Sequence, residues 1–179
     1  MTGSFEWLLL AYRMPREPST SRITVWRKLV QLGAAKLGRG LVVLPADTRT
    51  REQLERIADE VIEAGGEATL WKSRLTSLGA ERALLERMAG AIAAEYRELI
   101  TAAGCASAST PVNTRTVARL RRELRRISQR DYFPPVEREE AHRAVESLSS
   151  QVAVRRSGRS ELNPAHPARQ PGSVPWPEA

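Results

Sequence analysis

The sequence predicts an α+β protein in which a small α/β sandwich is followed by a helical hairpin. Strand and helix patterns alternate from Phe5 to Leu75, which is typical of a ferredoxin-like α/β sandwich. Beyond Leu75 apolar residues recur only at helical spacing, and from Arg155 onward Pro, Ser, Gly and Arg dominate without that periodicity. We therefore place the sandwich at residues 4–76, the helical appendage at 77–152 and a disordered tail at 153–179.

The first strands and the first helix are predicted from runs of apolar residues. Phe5–Tyr12 is a short apolar segment stopped by Pro15, which predicts a buried central strand. Ser21–Gly33 predicts an amphipathic helix, because its apolar residues fall on one half of a helical wheel: Ile23, Val25, Trp26, Leu29, Val30 and Leu32. Ala34–Gly40 predicts a short edge strand or bulge, and Leu41–Pro45 predicts a buried strand.

The second helix of the sandwich has the clearest pattern in the chain. Thr50 and Gln53 stand at capping-box spacing, and the helix is expected to close at Gly65. One face of this helix repeats Leu54, Ile57, Ala58 and Val61. Glu67–Leu75 then predicts the last strand. Three tryptophans come from elements that share the sandwich core, so we predict that they are buried together: Trp7, Trp26 and Trp71.

The second half of the chain predicts helices alone. Gly79–Gly104 places apolar residues at near-heptad spacing, namely Leu85, Met88, Ile92 and Leu99. Thr114–Asp131 repeats the pattern with Val117, Leu120, Leu124 and Ile127. Because short helices bury little surface alone, we expect these two to pair as an antiparallel hairpin joined by the loop Cys105–Asn113. A weaker third helix is predicted over Glu137–Val152.

The composition favours an anionic partner and argues against several other classes of site. Lys and Arg number 28 against 21 Asp and Glu, which gives a net charge of +7 and an isoelectric point near 10.4. This excess of positive charge favours polyanionic partners, because long-range electrostatic attraction steers them toward the protein. One cysteine, Cys105, and two histidines, His142 and His166, give no zinc motif and no internal disulfide. The apolar run Trp7–Ala11 is too short for a signal peptide or a membrane span, so we expect a cytoplasmic protein without a membrane partner.

The chain also lacks a pattern that predicts catalysis. No Gly-rich loop opens a helix, since "LGRG" precedes a strand and "AGG" ends a helix. Acidic residues such as Asp47, Asp59 and Glu60 are scattered, and neither histidine has the partners of a catalytic triad. We therefore predict that the protein is not an enzyme and has no catalytic residues, cofactor or metal site.

Several segments resemble the N-terminal domain of the ChrB chromate-resistance regulators. They are "WLLLAYRMP", "SRITVWRKLVQLGAAKL", "GLVVLP", the Gly-Gly turn into "EATLW" and "LRRELRRISQRDYFPP". The resemblance covers roughly Trp7 to Leu148, and its strongest parts are the Arg-Trp helix after the first strand and the "RDYFP" segment after a basic helix. The first half is also similar to the ferredoxin-like module of PaaX-type transcriptional repressors and to small CRISPR-associated ferredoxin-like nucleases. This resemblance implies the same sandwich fold.

The resemblance to ChrB implies transcriptional control of a chromate-efflux operon, with DNA as a partner and chromate as the effector. Proteins of that family are longer and carry a second domain associated with the chromate response, so we expect that response to involve a separate chain. The similar nucleases place a metal-binding aspartate at the end of the first strand, where this sequence has Arg13 in "AYRMP". Because arginine cannot hold Mg²⁺, we expect no nuclease activity.

Two groups of basic residues are candidates for contacting duplex DNA. They are Arg22, Arg27 and Lys28 on the first helix, and Arg119, Arg122 and Arg126 on the arginine-rich helix. Between Ser21 and Pro45 the sequence has five basic residues and no acid. Arg22 lies toward the apolar side of its helix, where it extends to solvent, pairs with an acid such as Asp47, or faces an anion.

The basic residues also have a simpler interpretation. Arg27 and Lys28 suit an ordinary solvated face, and the arginine-rich helix suits salt bridges to acids on its neighbour, namely Glu81, Glu86, Glu95 and Glu98. On that view the protein is a non-enzymatic interaction module that binds a second copy of itself or a separate chromate-resistance chain. Trp176, in the tail, suits a short motif for such a partner.

Overall fold

The computed structural model describes residues 5–17, 19–108 and 113–161, with side chains through residue 152. Within these residues, the first half of the chain contains β1 (Trp7–Arg13), α1 (Ser19–Gln31), β2 (Ala35–Gly38), β3 (Leu41–Pro45), α2 (Thr48–Glu63) and β4 (Glu67–Ser73). The second half contains α3 (Leu78–Ala108), α4 (Thr114–Ser128) and α5 (Glu137–Glu161). No helix in the described ranges combines the length and the hydropathy that crossing a membrane requires.

The strands form one antiparallel sheet in the order β2-β3-β1-β4. The central strand β1 pairs with both neighbours, so that Leu9 lies opposite Val43 on one side and Trp71 on the other. Together with α1 and α2, the sheet gives the β-α-β-β-α-β order of the ferredoxin-like sandwich. The predicted α+β fold class is confirmed, and the predicted edge strand is present as β2, with an irregularity between Lys36 and Gly38.

The cap of α2 lies three residues before the predicted one. Asp47 is the N-cap, and its carboxylate accepts a hydrogen bond from the Thr50 amide at 2.7 Å. The Thr50 hydroxyl in turn accepts from the Asp47 amide at 3.1 Å, which completes a capping box. The prediction that Thr50 and Gln53 form the box was therefore wrong, because Thr50 is the third helical residue. The predicted apolar face is confirmed, with Leu54, Ile57 and Val61 buried.

The predicted apolar face of α1 divides into two stripes. Val25 and Leu29 are buried in the sandwich core, whereas Ile23, Trp26 and Val30 are exposed. At about 100° per residue the exposed stripe is rotated by roughly a third of a turn from the buried one, so one sheet surface cannot cover both. The predicted burial of Trp26 was therefore wrong.

Trp71 also lies outside the core. It is 48% exposed, whereas Trp7 is fully buried. The sheet register puts both tryptophans on the same face. Trp7 is on the central strand and is covered by Glu81 of α3, whose carboxylate accepts its indole N–H at 3.2 Å. Trp71 is on the edge strand β4 and remains open to solvent, so the predicted three-tryptophan core was wrong.

The helical half is a three-helix bundle, in which α3 and α4 contact one another as predicted and α5 packs against both. Its core contains the predicted residues of α4, namely Val117, Leu120, Leu124 and Ile127. α5 adds a third apolar face through Ala141, Val145 and Leu148. The first half of α3 belongs to the sandwich core through Leu84 and Met88, and its second half belongs to the bundle core through Tyr96 and Leu99. One long helix therefore shares both cores.

The helix ends differ from the predicted ones. α3 continues through Gly104 to Ala108, because a single glycine weakens a helix without ending it. Leu84 is buried where Leu85 was predicted, and Leu85 is only half-buried. The backbone of α5 remains helical to Glu161, inside the segment predicted to be disordered. The rest of that segment, including His166 and Trp176, lies outside the described residues.

Candidate nucleic-acid interface

α4 presents a row of arginines opposite its buried face. The row, which we call the Arg stripe, consists of Arg115, Arg119, Arg122 and Arg126. These positions follow one another by four, three and four residues, so they share one side of the helix and extend over about 16 Å at 1.5 Å per residue. The buried residues of α4 point about 150° away on the helical wheel. Packing of the bundle core therefore directs the Arg stripe to solvent.

Most of the positive charge on α4 has no acidic partner among the described residues. The α4 arginine in an ion pair is Arg126, which bonds to Glu123 one turn earlier. Five exposed arginines of α4 have no ion pair with any described side chain: Arg115, Arg119, Arg121, Arg122 and Arg125. The predicted salt bridges from α3 are limited to Glu95, which pairs with Arg130 just after α4.

Glu81, another acid predicted to neutralise these arginines, faces the sandwich instead. Its carboxylate is buried and accepts hydrogen bonds from the Phe5 amide at 2.8 Å and from the Trp7 indole at 3.2 Å. The charge of α4 therefore faces solvent, where it is available to a polyanion.

The three basic residues predicted on α1 do not form one group. Arg27 is exposed and has no ion pair among the described residues. Lys28 pairs with Glu60 and so joins α1 to α2. Arg22 is exposed near the start of the helix, and Asp47, its suggested acidic partner, caps α2. At about 100° per residue these three side chains leave the helix in different directions.

Arg22 instead joins a second cluster of cations from other elements. A cavity of about 590 Å³, which we call the basic cleft, lies between the end of β1, the start of α1 and the β2-β3 turn. Its basic lining residues are Arg13, Arg22, Lys36 and Arg39, and none of the described residues that line it is acidic. The lining includes no residue of α4, so the basic cleft and the Arg stripe are separate surfaces.

Close backbone packing fixes one side of the basic cleft. The Tyr12 amide donates to the Gly40 carbonyl at 2.7 Å, which fixes the β2-β3 turn against the end of β1. Gly40 has φ +66°, and a Cβ there would lie 2.1 Å from the Tyr12 carbonyl oxygen. Glycine is thus required for this approach, which brings Arg39 to the side of the cleft occupied by Arg13.

An aromatic ring accompanies the cations of the cleft. Trp26 is 42% exposed, and the Lys36 ammonium lies 5.6 Å from its ring centroid, within range of a cation–π contact. Arg13 pairs with Glu67 at 2.6 Å, but both side chains are more than two-thirds exposed, so the pair neutralises it only weakly. Burial raises the pKa of the Tyr12 phenol, which keeps that lining group uncharged at neutral pH. The cleft can therefore bind phosphate oxygens beside an exposed ring face.

Sequence patterns alone did not place Arg13, Lys36 and Arg39 in one site with Arg22. The signal available was the run of basic residues without an acid between Ser21 and Pro45. That run does not show which side chains converge, because convergence depends on the pairing of β1 with β3 and on the Gly40 turn. In the described residues, no group of three or more His, Cys, Asp or Glu side chains is arranged to hold a metal ion.

The fold and these surfaces define a class: a ferredoxin-like α+β module with an attached helical bundle and two exposed basic surfaces. A family model described as protein ChrB, N-terminal, matches residues 22–115, just over half of the chain. The chain belongs to this family, and it is therefore related to the chromate-resistance regulators. Neither the curated proteins nor the solved structures include a significant match to it.

The family match covers the two basic surfaces unequally. It begins at Arg22 in α1 and ends at Arg115 in the first turn of α4. It therefore includes Lys36 and Arg39 of the basic cleft and leaves out most of the Arg stripe.

Proposed function

We propose that this protein is a non-enzymatic regulator of chromate resistance that contacts duplex DNA through the Arg stripe of α4. The observation that carries the proposal is the row of exposed arginines opposite the buried face, most of which lack an acidic partner among the described residues. Each arginine that meets a phosphate releases counterions and adds affinity that depends on salt. A rigid helix fixed by a bundle core also holds these contacts in one register.

The basic cleft supplies a second DNA contact in this proposal. Its cations come from β1, α1, β2 and the β2-β3 turn, and a backbone hydrogen bond at Gly40 fixes that turn against the end of β1. The absence of an acid from its lining favours an anionic partner. Family membership supports a role in chromate resistance, whereas the DNA contact rests on the charge distribution.

The test is a salt titration of binding to a duplex from the region upstream of the operon, measured by fluorescence anisotropy. Replacing Arg119 and Arg122 with Gln should flatten the slope of log K against log salt by about 0.9 for each lost contact. The matched control replaces Arg51 and Arg56 with Gln, since both are exposed on α2 and each pairs with an acid one turn away. The control should keep the parent slope. Equal slopes for the parent and the Arg119–Arg122 variant would contradict the proposal.

A second candidate function is an interaction module for another protein chain. It is favoured by the exposed apolar stripe of α1, formed by Ile23, Trp26 and Val30. An apolar interface changes little with salt, whereas a DNA contact weakens steeply. Replacing Ile23 with Ser would reduce self-association or capture of a separate chromate-resistance chain, and it would leave the salt slope for DNA unchanged.

A further inference from the structure

An apolar pocket lies where the sandwich meets the helical bundle. Its volume is about 320 Å³, and its walls come from the end of α1, the start of β2, the middle of α3 and the segment after α4. The apolar lining includes Val30, Ala34, Met88, Ile92, Tyr132 and Phe133. A mostly apolar pocket of this size, with a few polar groups, is typical of a site for a small organic molecule. It contains no residue of the Arg stripe and shares Lys36 with the basic cleft, so most of its lining is distinct from the proposed DNA contacts.

The charged groups of this pocket favour an anion. Among the described residues, three cations line it, namely Lys36, Arg87 and Arg130, against a single acid, Glu95. Arg130 pairs with Glu95. Lys36 and Arg87 have no ion pair with any described side chain. Arg87 and Lys36 are therefore not neutralised by a described carboxylate, and the Lys36 ammonium lies over the Trp26 ring.

The side chain of Arg130 gives a second reason to expect a ligand with a hydrogen-bond acceptor. Its side chain is 12% exposed, and its Nε is buried without a hydrogen-bond partner among the described residues. A buried donor without a partner costs free energy, and a ligand oxygen reduces that cost where it can reach the donor. The Glu95 carboxylate already bonds to the terminal nitrogen of the same guanidinium, so the side chain is held in place before a ligand binds.

We propose that this junction pocket binds a small organic carboxylate with an apolar body. The apolar walls would bury the body, and Arg87 and Lys36 would attract the carboxylate, with Arg130 beside them. An uncharged molecule of the same shape would leave these cations unpaired, so the pocket should select the anion. Lys36 also lines the basic cleft, but Arg87 and Arg130 do not. Variants of Arg87 therefore test the pocket without altering the cleft.

The experiment measures the thermal unfolding midpoint of the full chain with benzoate, octanoate or uncharged benzamide. A ligand that binds only the folded protein raises this midpoint as its concentration increases. We expect at least one carboxylate to raise the midpoint of the parent, benzamide to have no effect, and Arg87→Gln to lose at least tenfold in carboxylate affinity. Arg82→Gln is the matched control, because Arg82 is exposed on the same helix and does not line the pocket.

A second variant tests the cavity itself. Ala91 lines the pocket from an exposed position on α3, so Ala91→Leu should fill the space with little effect on the fold and should abolish carboxylate binding. Far-ultraviolet circular dichroism identifies a variant that has failed to fold. No midpoint shift with either carboxylate, an equal shift with benzamide, or parent-like affinity in folded Arg87→Gln would overturn the proposal.

Discussion

Tyr132 donates a hydrogen bond from its phenolic hydroxyl to the main-chain carbonyl of Leu32, at 2.8 Å. The donor follows α4 and the acceptor follows α1, so this bond joins the helical bundle to the sandwich. Gly33, next to the acceptor, has φ +73°, and a Cβ there would lie 3.0 Å from the Cβ of Arg130. The two halves of the protein therefore meet at a junction where both backbones approach closely.

Replacing Tyr132 with Phe should destabilise the protein by about 0.5–1.5 kcal/mol, because the Leu32 carbonyl loses its donor. Burial is the main reason that the pKa of Tyr132 is raised, so the hydroxyl remains a donor well above neutral pH. Urea unfolding followed by circular dichroism measures the effect. Tyr12→Phe is the control, since the Tyr12 hydroxyl has no hydrogen bond among the described residues. Equal stabilities for the two variants would show that the junction bond contributes nothing.

A comparison of three glycines should separate steric overlap from backbone strain. Gly40→Ala should be the most destabilising, because its Cβ would lie 2.1 Å from the Tyr12 carbonyl at φ +66°. Gly65→Ala keeps a positive φ of 75° but has no atom of a described residue within 4 Å of the new Cβ, so it should cost only about 1–2 kcal/mol. Gly38→Ala introduces neither a steric overlap with a described residue nor a strained positive φ, so the stability of this variant should be close to that of the parent. Unfolding midpoints in urea give the order, and a parent-like Gly40→Ala would contradict it.

Local sequence patterns predicted the elements of the sandwich because each was marked by its own periodicity or turn residues. The buried apolar face of α2 and the short strand β2 illustrate this. Patterns were less informative about which apolar stripe meets a neighbour. Trp26 lies on α1 and Trp71 on an edge strand, and both stay exposed because no element in the described part of the chain covers them. Their exposure is a property of tertiary packing.

The candidate site could likewise be predicted from the sequence only in part. The Arg stripe could be predicted, because one helix and its buried face determine where its arginines point. The basic cleft could not, because Arg13, Arg22 and Lys36 come from three different elements. The ion pair between Lys28 and Glu60 could not be predicted either, because Glu60 is on another helix.

Removing the Glu81 carboxylate should destabilise the sandwich strongly. Glu81→Ala leaves the Trp7 indole N–H buried without an acceptor, which typically costs about 1–3 kcal/mol. Glu81→Gln retains a carbonyl acceptor and should recover much of the loss. Glu86→Ala is the control, because Glu86 is exposed on the same helix. Chemical denaturation with tryptophan fluorescence measures all three, and similar values for Glu81→Ala and Glu86→Ala would refute the role of this bond.

Asp131 should make its own contribution to the pH dependence of stability. Burial raises the pKa of this carboxyl, and the hydrogen bond from Tyr96 and the charge of Arg138 oppose that rise only in part. A raised pKa in the folded state means that protonation favours folding. The stability that Asp131 contributes is therefore present below its ordinary pKa of about 3.9 and declines as the pH rises toward the raised value.

The variant Asp131→Asn removes this titration and keeps an oxygen that can accept from the Tyr96 hydroxyl, now bonded to Asp131 at 3.0 Å. We therefore expect the unfolding free energy of the parent, minus that of the variant, to decrease as the pH rises above about 4. Urea unfolding at several pH values measures this difference. An increase across the same range would mean that the folded state lowers the pKa of Asp131, contrary to its burial.

The last prediction separates Arg27 from Lys28, which the sequence suggested as one DNA-binding pair. Lys28→Glu should destabilise the protein, because it places a second carboxylate beside Glu60, and the reciprocal change Glu60→Lys in the same chain should restore the ion pair. The loss should be within about 1 kcal/mol, since the pair is partly exposed. Arg27→Glu breaks no ion pair with a described residue and should change stability by at most about 0.5 kcal/mol.

Any DNA contact of α1 is therefore best tested with Arg27→Glu, whose fold should be unaltered. If Arg27 meets a phosphate, affinity for the upstream duplex should fall and the salt slope should flatten by roughly one unit. The restored Lys28→Glu, Glu60→Lys chain has the same net charge as the parent, so a DNA defect in it would point to Lys28 itself. Parent-like binding by both variants across the salt titration would exclude this face of α1, and the DNA contact would then depend on the Arg stripe and the basic cleft.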